Sequence, residues 1–242
     1  MGYNALERNT IGTGNTATGN AALFYNTIAN NNTATGTEAL YANSGNSNTA
    51  TGCKALHNNY GDWNTATGDS SLFNNQSGYG NTASGSFSMF SNAGGNSNTA
   101  DGANALYTNS SGTLLTGVGA SALYSNTTGI SNVAVGNSSL YYNSTGSFNT
   151  GVGVYTLNAN LTGQNNTAFG YSTLLSNNTG NNNSGIGFEV LNFNTSGGGN
   201  SGMGTRTLFQ NTTGSCNIAM GDSAMYNNTT GAFNTAVGTN SL

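Results

Sequence analysis

Residues 211–238 read N-T-T-G-S-C-N-I-A-M-G-D-S-A-M-Y-N-N-T-T-G-A-F-N-T-A-V-G, and this stretch decides the fold. It spells one word twice, 17 residues apart: Asn211 is matched by Asn228, Gly214 by Gly231 and Gly221 by Gly238. Working outward, the same anchor glycine recurs at Gly2, Gly19, Gly36, Gly52, Gly68, Gly85, Gly102, Gly119, Gly136, Gly153, Gly170, Gly187, Gly204, Gly221 and Gly238. Twelve of the fourteen intervals are 17 residues, and the two around Gly52 are 16. Four residues after every anchor stands Leu, or Met at Met89 and Met225, and seven after every anchor with room for it stands Asn. Chance does not hold such a register over fourteen periods. The period is too short for a helix–turn–helix repeat or a propeller blade and suits one coil of a stacked array. The expected fold is all-β: a parallel β-solenoid (β-roll or β-helix) of about 14 coils with 17 residues per coil. Residues 1–242 form a single repeat array.

Two segments of each repeat read as strands. N-T-A-T or N-T-A-V alternates at period two, and A-L-(F/Y) is the second candidate. The inward residues are then the Leu after the anchor and the Ala two before it, such as Ala17, Ala34, Ala50 and Ala66. One Leu and one or two Ala contribute only about 2–4 kcal/mol per coil. Ordering 17 residues costs more than that. Hydrogen-bonded ladders and stacked side chains must supply the difference, with help from neighbouring chains. The Asn column (Asn26, Asn43, Asn59, Asn75, Asn92, Asn109, Asn126, Asn143 and onward) reads as a structural ladder. Its amides would pass hydrogen bonds from coil to coil.

Composition narrows the function. Charged residues are 4% of the chain, against about a quarter in ordinary domains. The net charge of −4 comes from seven acids and three bases spread along the chain, so no basic patch invites nucleic acid. No apolar run reaches the ~18 residues of a membrane helix, so no membrane insertion is expected in this segment. Cys53 and Cys216 are too distant in a rigid array to bridge and read as free thiols. Neither end carries a capping segment, so the expectation is a piece of a longer fibre or a protomer stacked end to end.

The segments 211–222 and 228–238 carry a resemblance. The string N-T-A-V-G-x-x-(A/S)-L resembles the N-T-A-I-G-x-x-A-L repeats of bacterial surface proteins and phage tail fibres. It is similar, more distantly, to the head repeats of trimeric autotransporter adhesins, whose repeat is shorter. The resemblance covers the whole chain. It implies an extracellular, cell-surface or virion-surface fibre, often a parallel homotrimer.

No catalytic constellation stands out. His57 is the only histidine, which excludes His-based metal clusters. A Ser/His/Asp site would have to recruit Asp62 or Asp69, yet His57 sits in a column of aromatic residues. No phosphate-binding G-x-x-x-x-G-K-(S/T) occurs, and the carboxylates are isolated. The chain is not expected to be an enzyme, and no metal or cofactor is implied.

Three surface columns remain. Five residues after the anchors stand Phe24, Tyr41, His57, Phe73, Phe90, Tyr107, Tyr124 and Tyr141, an aromatic ladder. Ring packing explains it; an apolar stripe for lateral association or a platform for sugars would use it. Thr16/Thr18, Thr33/Thr35, Thr49/Thr51 and Thr65/Thr67 pair threonines on one face, which resembles the threonine ladders of insect antifreeze solenoids. From Val118 onward the second position turns apolar, through Phe169, Ile186, Met203 and Met220. The Asn column also begins sequons at Asn75, Asn109, Asn126, Asn143, Asn211 and Asn228, so glycans are candidate partners. The expected function is a structural or adhesive extracellular fibre or filament, self-associating as a homotrimer or end to end. The alternative is an ice-binding protein using the Thr-x-Thr face.

Overall fold

The computed structural model of the chain describes residues 2–242. Every regular element among them is a β-strand, with no helix. The chain divides into two compact units, the first ending at Ala120 and the second beginning at Ser121. Each is a β-solenoid.

In the first unit seven strands stack in parallel: Thr16–Thr18, Thr33–Thr35, Thr49–Thr51, Thr65–Thr67, Thr82–Ser84, Thr99–Asp101 and Thr116–Val118. Thr16 pairs with Thr33, Thr33 with Thr49 and Thr49 with Thr65, so equivalent repeat positions are direct neighbours. The second unit repeats the design from Val133–Val135 through Thr150–Val152, Thr167–Phe169, Ser184–Phe188, Ser201–Thr205 and Ile218–Met220 to Thr235–Val237. Its register is the same, Val152 on Phe169, Phe169 on Ile186 and Ile186 on Met203. Each three-residue strand alternates, with the central Ala or Gly buried and its two neighbours outward. The inward Leu column is fully buried from Leu23 to Leu208.

In three coils of the second unit the core's two small-residue columns compensate each other. Where the inward residue before the anchor shrinks to Gly151, Gly185 or Gly202, the residue three after that anchor grows to Thr156, Val190 or Thr207. A Cβ on Gly202 would stand 2.6 Å from Val190 Cγ1, and one on Gly151 2.7 Å from Ser139 Oγ. Interiors packed to crystal density leave no room for that extra carbon.

The second expected strand is not one. A-L-(F/Y) lies in a run of turns, because the residues two and four after each anchor adopt left-handed backbone. The buried leucines themselves do so, with φ between +47° and +56° from Leu6 to Met225. An L-residue there costs about 1–2 kcal/mol. The turns close with Ala22 N–H donating to Gly19 O and Asn26 N–H to Leu23 O. What second sheet exists is confined to Ala42–Asn43, Asn58–Asn59, Asn74–Asn75 and Ser91–Asn92 of the first unit.

The anchor glycine is required twice over. At Gly85 φ is +122°, outside the reach of L-residues, and an added Cβ would meet the carbonyl of Gly102 at 2.7 Å. The two 16-residue coils lose their residue at the corner after the Asn column. Asn43 Nδ2 and Asn59 Nδ2 donate to the carbonyl two residues on, where 17-residue coils reach three, as Asn143 does to Gly146.

Candidate functional surfaces

Two Asn ladders run through the interior. In the expected one, each side-chain amide donates to the Oδ1 of the preceding coil: Asn43 to Asn26 at 3.0 Å, Asn75 to Asn59 at 2.7 Å and Asn109 to Asn92 at 2.7 Å. In the second unit Asn143 donates to Asn126 at 2.9 Å, and the ladder continues through Asn177 to Asn211. The other amide hydrogen goes to a carbonyl of the same coil, as from Asn75 to Gly78 and Asn92 to Gly95. Both donors of each such nitrogen are therefore committed, and the column from Asn26 to Asn211 is buried throughout. This includes the sequon residues Asn75, Asn109, Asn126, Asn143 and Asn211.

The second ladder was hidden in the N-T-A word. Asn32, Asn48, Asn64, Asn81 and Asn98 each precede a strand and are buried. Each accepts the backbone N–H of its successor: Asn48 N–H to Asn32 Oδ1 at 2.9 Å, Asn64 N–H to Asn48 Oδ1 at 2.8 Å. The amide group donates across the corner, Asn32 Nδ2 to Gly45 O. Leu115 interrupts the column, its N–H still donating to Asn98 Oδ1. No buried side-chain nitrogen or oxygen among the described residues lacks a partner.

The aromatic ladder is a continuous ring stack in the first unit. Phe24, Tyr41, His57, Phe73, Phe90 and Tyr107 follow one another at 4.8–5.4 Å between centroids, tilted by 7–17°. Tyr124 and Tyr141 stack at 4.9 Å in the second. Successive rings cover each other's faces and leave edges to solvent, so the stack offers little face for a sugar within its length. Burial pushes the hydroxyl of Tyr141 above its ordinary value, with Tyr124 and Tyr142 adding to it. Tyr41 is raised too, first by burial and then by Tyr25. His57 points to Glu38, Nε2 to Oε2 at 3.4 Å, and its Nδ1 lies 3.1 Å from Asn58 Oδ1. Glu38 also lies 3.9 Å from Lys54 Nζ, the residue one coil on.

The threonine face is outward as expected. Thr16, Thr18, Thr33, Thr35, Thr49, Thr51, Thr65 and Thr67 are all exposed on one in-register sheet. In the second unit the same outward position holds Phe169, Ile186, Met203, Met220 and Val237. Cys53 and Cys216 are both exposed free thiols. Among the described residues, no three His, Cys, Asp or Glu side chains gather where a metal could be held. No protein-family profile, no curated protein and no solved structure matches this chain.

Proposed function

We propose that this chain is a structural, adhesive segment of an extracellular fibre or filament on a cell or virion surface. One observation carries the reading: the recurring residues spend their chemistry on the next coil. Anchor glycines admit the neighbouring carbonyl, asparagines donate and accept along the stack, and rings cover rings. A ligand site would need groups left unspent, whereas a repeat that consumes them serves cohesion. Electron microscopy of the purified chain tests this, with elongated or filamentous particles expected. Discrete round particles at every concentration would contradict it.

A second reading rests on the threonine face. Among the described residues, none of the eight paired strand threonines donates its hydroxyl to a protein group, so these hydroxyls are open to ordered water. Strand neighbours two apart lie about 6.6–6.8 Å from each other and coils about 4.8 Å, a regular lattice. Ice binding follows if the purified chain shows thermal hysteresis that Thr35→Lys abolishes.

A further inference from the structure

We propose that the apolar face of the unit beginning at Ser121 pairs with the same face of a second copy of this chain. The face is built from two adjacent outward columns. One runs in register through Val152, Phe169, Ile186, Met203, Met220 and Val237. Beside it, two residues further along the chain, stand Val154, Tyr171 and Phe188, the last two stacked at 5.4 Å. On the strand Ser184–Phe188, Ile186 and Phe188 both point out while Gly185 is buried.

These side chains are half in water: Phe169 is 40% exposed, Ile186 42%, Met203 44% and Met220 46%. With the flanking Tyr155 and Ile218, ordinary side-chain areas put the apolar surface left open at roughly 800 Å². Monomers rarely keep a contiguous apolar patch above about 300–600 Å². A standard interface draws about 800 Å² from each partner, so the open area is what one copy brings to a stable pair.

The spacing also selects the partner. The side chains project in rows one strand apart, about 4.8 Å, and interdigitate best with a surface of the same period. A second copy supplies that period, and a two-fold axis makes the contact self-complementary. Charge leaves most of the face open: Arg206 is bonded to Glu189 at its edge, neither column contains a charged residue from Val152 to Met203, and the exposed Asp222, two residues after Met220, places the contact on that stretch. The equivalent positions Thr18, Thr35, Thr51 and Thr67 of the other unit are hydroxylic, which confines the pairing to this one. The pairing stands or falls independently of the fibre reading.

Sedimentation velocity of the full chain between ~1 and ~100 µM tests it. The wild type is expected as a species of twice 24.4 kDa. Ile186→Thr with Met203→Thr places on this face the residue that the column carries elsewhere, and should weaken pairing by roughly 100-fold or more. Its circular dichroism should match the wild type. Phe169→Thr with Met220→Thr repeats the test should the first variant misfold. A wild-type monomer would give the face to another occupant, such as a lipid surface or a different protein, and overturn the proposal. So would a species of other than two chains, or pairing that survives in a folded variant.

Discussion

Arg206 Nε donates to Glu189 Oε2 at 2.8 Å, although 17 residues separate the two in sequence. Both stand two residues after an anchor glycine, and the parallel register brings them together because Phe188 pairs with Thr205. Both side chains are at least partly in water, so the pair reports the register more than it stabilises it. Arg206→Gln is expected to lower the melting temperature only slightly, and the difference should disappear in high salt. A large loss that persists at 1 M salt would mean that Arg206 packs on Phe188 and Phe209 for reasons other than charge.

Two glycines five residues apart separate backbone freedom from close approach. Gly80 has φ +64° with only Ser97 Oγ near a new Cβ, at 3.9 Å. Gly85 has φ +122° with the next coil's carbonyl in the way. Gly80→Ala should cost about 1 kcal/mol, and Gly85→Ala about 3 kcal/mol or more. Urea denaturation of both variants gives the comparison; equal costs would remove the close approach from the explanation.

Asn177 accepts from Asn194 at 2.7 Å and donates to Asn160 at 2.8 Å and Gly180 at 2.9 Å. Asn177→Ala strands a buried donor on one side and a carbonyl on the other, and should cost about 2–4 kcal/mol. Chemical denaturation measures it. The same commitment of both amide hydrogens means that Asn75, Asn109, Asn143 and Asn211 should carry no glycan after secretion from a glycosylating host. Intact-mass spectrometry reads that directly.

Much of this was legible in the repeat. A period of 17 with an anchor glycine specifies the coil, and alternation in T-A-T specifies which threonines face out. What stayed hidden has a physical reason. Left-handed backbone is usually announced by Gly or Asn, but here buried Leu23 and its equivalents adopt it, so A-L-F looked like a strand. Leu23 N–H donates to Ala39 O of the next coil, a partner that only the stack supplies and that local preference does not announce. The Asn32 ladder is not legible in the sequence, because Asn before a β-branched run reads equally well as the polar entrance to a strand.

Tyr141 supplies a pH dependence. Its pKa is raised above 10.0 in the folded chain, so folding favours the neutral phenol. The contribution is full below the unfolded value and is lost as pH rises through the higher folded value. Melting temperature should hold to about pH 10 and fall beyond it, more weakly in Tyr141→Phe. A wild-type profile that Tyr141→Phe leaves unchanged would locate the alkaline loss elsewhere.

Equivalent positions of successive repeats are stacked neighbours within each unit. Thr150 pairs with Thr167, both partly exposed on one face. Parallel neighbours about 4.8 Å apart fall within the Cα separations a disulfide spans, about 4.4–6.8 Å. In a background of Cys53→Ser and Cys216→Ser, Thr150→Cys with Thr167→Cys should therefore close an intramolecular disulfide under mild oxidation. A variant pairing Thr150→Cys with Asn158→Cys, half a coil away, should stay reduced. Peptide mapping that finds the reverse, or finds the 150 and 167 thiols free, would contradict the solenoid register.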